Sequence, residues 1–212
     1  MASNTIKQLQ WRYATKSFDP SKKLSEEKID LLKESFNLTA TSYGLQPLKM
    51  VVISNDATKK DLVSMTMDQK QVAEASHVLV LCIESTITKE FIEGYFDRVE
   101  QIRNTPRSIL HPFESFLVAS FSEKSHNNIK TWMEKQAYLA MGNLLTVCAL
   151  EGIDACPIEG FEPKKYDEFL DLANKGIQSV LVLAVGYRAE DDFFSALKKV
   201  RRGTQEVIID ME

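Results

Sequence analysis

The chain of 212 residues is long enough to bury a sizeable core, and the simplest expectation is one domain over residues 1–212. Its 26 basic and 30 acidic residues give a net charge of -4 without a long basic run, which argues against a nucleic-acid or membrane partner. No apolar run approaches the roughly 18 residues of a membrane span, and the first residues lack the apolar stretch of a secretory signal. We therefore expect a cytoplasmic protein in which Cys82, Cys148 and Cys156 are buried free thiols.

Capping signals and apolar spacing predict the first elements. A short helix is expected from about residue 5 to residue 11. A second helix begins after Ser25, a favourable N-cap residue, and carries apolar residues at three- and four-residue spacing on one face. Residues 48–53 then read as a strand.

Two continuous apolar runs, residues 77–83 and 179–186, predict strands that are covered on both faces. Helices must therefore pack on each side of one sheet. Between residues 90 and 121, charged and aromatic residues alternate irregularly, and we expect two shorter helices with Pro106 and Pro112 breaking the run. Most of these aromatic side chains would pack the two helices together, and one or two could line a substrate opening.

Residues 126–150 are the longest helix candidate. The second half of this segment, residues 139–150, is apolar on nearly every side of the predicted helix. Such a helix is buried all round, either in a large core or against a second subunit. Because a chain of this size has little core with which to surround it, we expect a dimer interface there.

Two groups of basic residues lie near opposite ends of the chain, at 12–16 and 199–202. Between them, residues 157–160 form a glycine-bearing turn that follows the long helix candidate. Two distant groups of cations and such a turn are what a phosphate-bearing planar cofactor requires. Taken alone, the C-terminal group is typical of a solvated surface charge run.

In their order along the chain, these features resemble the nitroreductase family of FMN-dependent, NAD(P)H-oxidising enzymes. The resemblance implies an α+β fold of three layers, in which helices flank a central, mainly antiparallel sheet. It also implies a homodimer with two flavins at the interface. In the family the C-terminal strand is exchanged between subunits, and the β-prone run at 207–209 within residues 205–210 matches that strand.

Residues 11–19 look like the family's Arg-x-Ser-x-Arg/Lys-x-Phe motif. The match implies that Arg12 binds the FMN phosphate and that Lys16 lies near the pyrimidine edge of the ring. Tyr13 and Ala14, between them, are also expected to contact the cofactor. Because Ala14 stands where the family usually has Ser, one hydroxyl contact is missing.

Residues 41–47 resemble the family's Ser-x-Asn-x-Gln-Pro-Trp loop, which reaches the flavin of the other subunit. Here Gly44 stands where Asn is common and Leu48 where Trp is common. The cofactor-binding candidates of this loop are Thr41, Ser42 and Gly44.

Residues 68–71 resemble an element that precedes a strand in the family. The resemblance implies that Asp68 accepts a hydrogen bond from N3–H of the flavin and that Gln71 donates to O2. Considered without the other motifs, the same residues are explained by a polar helix cap before a strand.

The match is closest at residues 157–161. The family uses this turn to direct the backbone N–H groups of Glu159 and Gly160 at flavin N5 and O4. Lys199 and Arg201 would then complete the phosphate site with Arg12.

Flavin chemistry requires neither a nucleophile nor a side-chain acid, and we predict no catalytic side chain. A metal site is not expected, because His111 and His126 lack Cys or carboxylate partners at ligand spacing and His77 opens an apolar strand, where a structural role is expected.

The predicted function is ping-pong reduction of nitroaromatics, quinones or related small acceptors by NADH or NADPH through bound FMN. An alternative is a flavin-binding sensor or flavin store without physiological turnover. A third hypothesis, a helical interaction module, is disfavoured by the buried strand runs.

Overall fold

The computed structural model describes residues 3–211; residues 1, 2 and 212, which the expected domain includes, lie outside the described range. The helices are α1 (Asn4–Trp11), α2 (Glu26–Asn37), α3 (Asp56–Leu62), α4 (Gln71–Glu74), α5 (Lys89–Arg103), α6 (Arg107–Ser122), α7 (His126–Leu150), α8 (Pro163–Phe169) and α9 (Thr204–Val207). The strands are β1 (Leu48–Ile53), β2 (His77–Glu84), β3 (Asp154–Ile158) and β4 (Ile177–Gly186). Within residues 3–211, no helix is both long and apolar enough to cross a membrane.

The four strands form one antiparallel sheet in the order β1-β2-β4-β3. The two apolar runs of the sequence become the central strands β2 and β4, which pair from His77 opposite Val185 onward. Residues of β2 from Val78 to Ile83 are all buried, as expected for a strand covered on both faces. β1 and β3 are the edge strands.

Each face of the sheet supports its own hydrophobic core, because successive side chains point to opposite faces. Leu79, Leu81 and Leu183 face the core shared with α2, α5, α6 and α7. Val80 and Val182 face the opposite core, to which α3, α4 and α8 contribute. The helix–sheet–helix arrangement confirms the predicted three-layer α+β fold with an antiparallel central sheet.

Side-chain caps begin the long helices where the sequence indicates. Ser25 Oγ accepts a hydrogen bond from Lys28 N at 3.4 Å and begins α2. Ser125 Oγ accepts from Asn128 N at 3.3 Å and begins α7. Each cap satisfies one of the backbone donors that a helix leaves unpaired in its first turn.

The prediction that Pro112 breaks its segment is wrong, since α6 continues through it. Proline cannot donate a hydrogen bond to the carbonyl oxygen of Ser108, four residues earlier, but Ser108 is exposed and water can serve that oxygen. The other proline of the segment, Pro106, stands immediately before α6 and separates it from α5 as predicted.

The C-terminal run also differs from expectation within the single chain. Val207 belongs to the short helix α9 rather than to a strand, and Gly203 N donates to Glu206 Oε1 at 2.7 Å at its start. A terminal strand requires a neighbouring strand, and residues 204–211 pair with none in the described part of the chain, so local hydrogen bonds determine their conformation. Ile208 and Ile209 remain 54% and 86% exposed.

The second half of α7 is not buried all round in the single chain. Leu139 is 57% exposed and Leu150 is 42% exposed, whereas Ala140 and Leu144 on the opposite side are fully buried. The chain therefore covers only one side of this apolar helix.

Candidate functional site

The N-terminal motif lies along the free edge of β3. Ala14 forms a parallel bridge with Ala155, and Thr15 N donates to the carbonyl oxygen of Ala155 at 3.2 Å. This pairing begins three residues after α1 ends at Trp11. Because β3 leads directly into the turn at Glu159, the motif and the turn, which are far apart in sequence, adjoin the same edge strand.

Cations from both ends of the chain line a cleft of about 450 Å³, which we call the cation cleft. Its lining includes the cations Arg12, Lys16, Lys199 and Arg201. The structure thus brings together these four predicted site residues, with Tyr13 and Ala14 in the same wall.

The cations in this cleft have no carboxylate partner in the part of the chain that the structure describes. None of Arg12, Lys16, Lys199 and Arg201 takes part in an ion pair among the described residues. Burial and the neighbouring Arg201 lower the pKa of Arg12, and burial, Arg12 and Arg201 lower the pKa of Lys199. Cations that repel one another in this way are ready to bind a polyvalent anion such as a phosphate.

Asp192, a buried carboxylate that no sequence motif indicates, binds residues that line the cation cleft. Asp192 is 3% exposed and accepts hydrogen bonds from Tyr13 Oη at 2.9 Å and from Lys16 N at 2.8 Å. Burial together with this bond raises the pKa of Tyr13 above its ordinary value. The Tyr13 hydroxyl is therefore engaged with Asp192, which leaves its ring and backbone to line the cleft.

Arg188 packs against Trp11 and Tyr13, which also line the cation cleft. Its guanidinium lies 4.4 Å from the Trp11 ring centroid and 4.6 Å from that of Tyr13. Its Nε donates to Asp154 Oδ1 at 2.6 Å, and its backbone N to Asp154 Oδ2 at 2.9 Å. A cation stacked between two aromatic rings and anchored to β3 limits the movement of the segment that carries Arg12.

The turn after β3 presents unused backbone donors. Within residues 3–211, the backbone N–H groups of Glu159 and Gly160 have no acceptor, whereas Phe161 N donates to Glu159 O at 3.0 Å and Glu162 N to Met65 O at 2.8 Å. The Glu159 side chain accepts from Tyr138 Oη at 2.7 Å. Two adjacent free N–H groups on a fixed turn suit an electron-rich ligand edge.

Residues 67–69 dock against this turn. Gln69 Nε2 donates to Gly160 O at 2.9 Å, a contact within the protein that the sequence pattern does not indicate. Asp68 is exposed and has a φ of 56°, and Met67 before it has a φ of 51°. Two successive non-glycine residues in the left-handed region are costly, and such conformations cluster at functional sites. Gln71 is 8% exposed at the start of α4.

The loop at 41–44 lies elsewhere in the single chain. Ser42 N donates to Gln136 Oε1 at 2.8 Å, and Thr41 lines a different cleft, of about 720 Å³, between α2, β1 and α5. Tyr43, with a φ of 59°, stacks on Trp132 with 6.4 Å between ring centroids. A methyl group on Gly44 would stand 2.8 Å from Tyr95 Oη, which explains glycine there. Thr41, Ser42 and Gly44 are therefore not brought to the cation cleft by their own chain.

Comparisons with known proteins agree with this geometry. The family model described as "Nitroreductase family" matches residues 9–187. A Staphylococcus aureus protein, named as a candidate NAD(P)H nitroreductase, is 32% identical over 208 residues, covering 93% of this chain and 91% of its own. The oxygen-insensitive NAD(P)H nitroreductase of Salmonella typhimurium is 31% identical over 198 residues, covering 90% of this chain and 91% of its own.

Among solved structures, a candidate nitroreductase from Exiguobacterium sibiricum, determined in complex with FMN, superimposes with a TM-score of 0.84. It is 18% identical, and the match covers 100% of this chain and 99% of that one, so it supports the fold alone. The family match and the sequence relatives carry the assignment further. This chain belongs to the nitroreductase family.

Proposed function

We propose that this protein is an FMN-dependent oxidoreductase that oxidises NADH or NADPH and reduces small-molecule acceptors in a ping-pong scheme. Bound FMN would accept a hydride from the nicotinamide and then pass electrons to nitroaromatics, quinones or related acceptors. The single observation that carries the proposal is the meeting of Arg12, Lys199 and Arg201 in one cleft without a carboxylate partner among the described residues. The family membership of the chain and the FMN complex of the Exiguobacterium neighbour support FMN as the anion that binds there.

At the phosphate end, Arg12 and Arg201 would supply the guanidinium groups, which can contact phosphate oxygens in pairs. Lys199 would add an ammonium group beside them. Burial and mutual repulsion lower the pKa of Arg12 and Lys199, and a dianion bound there would relieve the repulsion.

At the ring end, the free N–H groups of Glu159 and Gly160 would donate to the flavin edge that gains electron density on reduction. Lys16 would stabilise negative charge at the pyrimidine edge. Asp68 would accept from the ring imide and Gln71 would donate to a ring carbonyl. None of these residues transfers a proton as part of its assigned role, so the site binds, orients and polarises.

A homodimer would complete the site. Thr41 lines the cleft beside β1, and none of Thr41, Ser42 and Gly44 lines the cation cleft of their own chain, so a contact of this loop with flavin would have to come from the partner subunit. The exposed apolar side of α7 is a surface that a second copy could cover. β1 is an edge strand without an outer partner within residues 3–211, and it could receive the tail of the other chain.

Anaerobic spectroscopy of the purified protein tests the proposal. We expect a yellow protein whose flavin absorbance bleaches on addition of NADH or NADPH and returns on addition of a quinone. A yellow protein that neither nicotinamide bleaches would favour the alternative, a flavin-binding sensor or store. A colourless protein that takes up no added FMN would contradict both. Steady-state rates with a quinone and a nitroaromatic under each nicotinamide would then identify the preferred pair.

A further inference from the structure

Asp192 is the most heavily hydrogen-bonded carboxylate near the cation cleft, yet it does not line that cleft. Its Oδ2 accepts from Lys16 N at 2.8 Å, Tyr13 Oη at 2.9 Å and Ser17 N at 3.2 Å. Its Oδ1 accepts from Phe194 N at 3.0 Å. A carboxylate that is 3% exposed and receives four donors is a fixed point of the structure.

The donors come from two segments that are far apart in sequence. Tyr13, Lys16 and Ser17 belong to the N-terminal segment that carries Arg12. Phe194 is the second residue of the 3-10 turn Phe193–Ala196, which Asp192 itself caps and which leads to Lys199 and Arg201. The two oxygens of one carboxylate thus connect the two segments that carry the cations of the cleft.

We propose that Asp192 is a positioning residue of the phosphate site. It sets the distance between Arg12 and the pair formed by Lys199 and Arg201. This inference rests on the proposed FMN function, since the phosphate is the group that the cations would share. Asp192 itself would not touch the cofactor. Its action on the ligand is indirect, through the backbone of residues 16–17 and of residue 194.

Asparagine tests the carboxylate with little change in shape. Its side chain has one acceptor oxygen and one NH2 group, which only donates. If the oxygen faces Tyr13 and Lys16, the NH2 group faces Phe194 N, and two donors oppose each other. If the amide is turned over, three donors lose their acceptor. Either orientation disturbs the join between the two segments, because a buried donor without an acceptor is costly.

The experiment compares FMN with riboflavin, which lacks the phosphate. Affinities of the flavin-stripped full-length protein for both are measured by fluorescence titration for wild type, Asp192→Asn and Asp191→Asn. Asp191 is the exposed carboxylate beside Asp192 and provides the matched control. We expect Asp192→Asn to weaken FMN binding by about ten- to a hundredfold and riboflavin binding by much less. Asp191→Asn should leave both affinities at the wild-type level.

A second variant covers the case in which Asp192→Asn fails to fold. Tyr13→Phe keeps the ring against Arg188 and removes one of the four donors, so it should reduce the preference for FMN over riboflavin more mildly. Equal losses for both flavins, accompanied by a lower melting temperature, would overturn the positioning role in favour of a general structural one. An unchanged FMN affinity in Asp192→Asn would overturn it as well. A wild-type protein that binds neither flavin would instead refute the proposed function, and this role with it.

Discussion

Lys199 Nζ donates a hydrogen bond to the backbone carbonyl oxygen of Arg12, although 187 positions separate them along the chain. The contact joins the two ends of the chain at the cation cleft and uses one of the three ammonium protons of Lys199. The other two protons remain for an anion. The Arg12 side chain is not involved in this bond, so its guanidinium also remains available within the cleft.

Replacing either arginine of the cleft should weaken cofactor binding. Arg12→Ala and Arg201→Ala each remove a charged donor from the proposed phosphate site. Losing one charge-assisted hydrogen bond costs about 1.5–3 kcal/mol, or roughly ten- to a hundredfold in affinity. Equilibrium dialysis against FMN measures the effect, with Arg103→Ala, an exposed position at the end of α5, as the control. Full flavin retention in both cleft variants would refute the cofactor assignment.

The carboxylate of Glu159 should be dispensable. The turn is proposed to act through its backbone N–H groups, and glutamine at position 159 can still accept the bond from Tyr138 Oη. Glu159→Gln should therefore retain flavin and most of its turnover with NADH or NADPH. A collapse of turnover at full flavin occupancy would show that the carboxylate takes part in the reaction.

Much of the fold could be predicted because its apolar runs are long and uninterrupted. β1 has the bounds that the sequence indicated, and β2 and β4 follow from their continuous apolar stretches. β3 was not predicted as a strand, since it has five residues and contains Pro157. An edge strand tolerates proline, because one side of its backbone needs no ladder partner.

The candidate site could be predicted where charged residues are concentrated, but much less where single polar residues form the hydrogen bonds. The cations at both ends of the chain were identified, but Asp192 and Gln69 were not. Each makes its contact across a long sequence separation, Asp192 to Lys16 and Gln69 to Gly160. An isolated Asp or Gln in a polar loop has no periodicity or motif that marks such a partner. The tertiary structure is needed to find it.

Asp192 should also give the flavin-free protein a distinct acid dependence. Burial opposes ionisation of Asp192, but hydrogen bonds from Lys16 N, Ser17 N, Tyr13 Oη and Phe194 N outweigh it, so its pKa lies below the ordinary 3.8. A carboxyl with a lowered folded-state pKa stabilises the fold above its unfolded-state pKa. That contribution is lost as the pH falls below about 4 toward the folded-state pKa.

Urea unfolding of wild type and Asp192→Asn across this pH range measures the effect. The free energy of unfolding should differ most between the two proteins near neutral pH, and the difference should shrink below about pH 4. A difference that stays constant down to pH 3 would show that Asp192 is not stabilised in its ionised form.

Gly160 should not tolerate a side chain. A methyl group there would lie 3.1 Å from Met67 Sδ and 3.3 Å from Gln69 Nε2, the atom that donates to Gly160 O. Gly160→Ala requires these two side-chain atoms to move aside, which disturbs the bond from Gln69 that holds the turn, and small changes in the orientation of a reacting group slow its reaction. We expect slower bleaching by NADH in stopped-flow measurements at unchanged flavin occupancy. Wild-type bleaching rates would show that the backbone of this turn does not orient the ring.

Deleting residues 204–212 should lower dimer stability and flavin retention together. Within residues 3–211 the tail pairs with no strand, and Val207, Ile208 and Ile209 leave 49%, 54% and 86% of their surface exposed. An exposed β-prone tail, together with the edge strand β1, which has no outer partner within residues 3–211, favours strand addition between two copies of the chain. The deletion begins three residues after Arg201, so none of the proposed flavin-binding residues is removed.

The deletion is best measured by sedimentation over a dilution series, with flavin absorbance followed in the same runs. We expect the truncated chain to dissociate at a higher concentration than the full chain and to lose FMN as it does so. The double change Ile208→Ser and Ile209→Ser keeps the tail's length and should act in the same direction, because it removes apolar area that the partner would bury. Truncated protein that remains dimeric and fully yellow at low concentration would rule out the exchange of this tail.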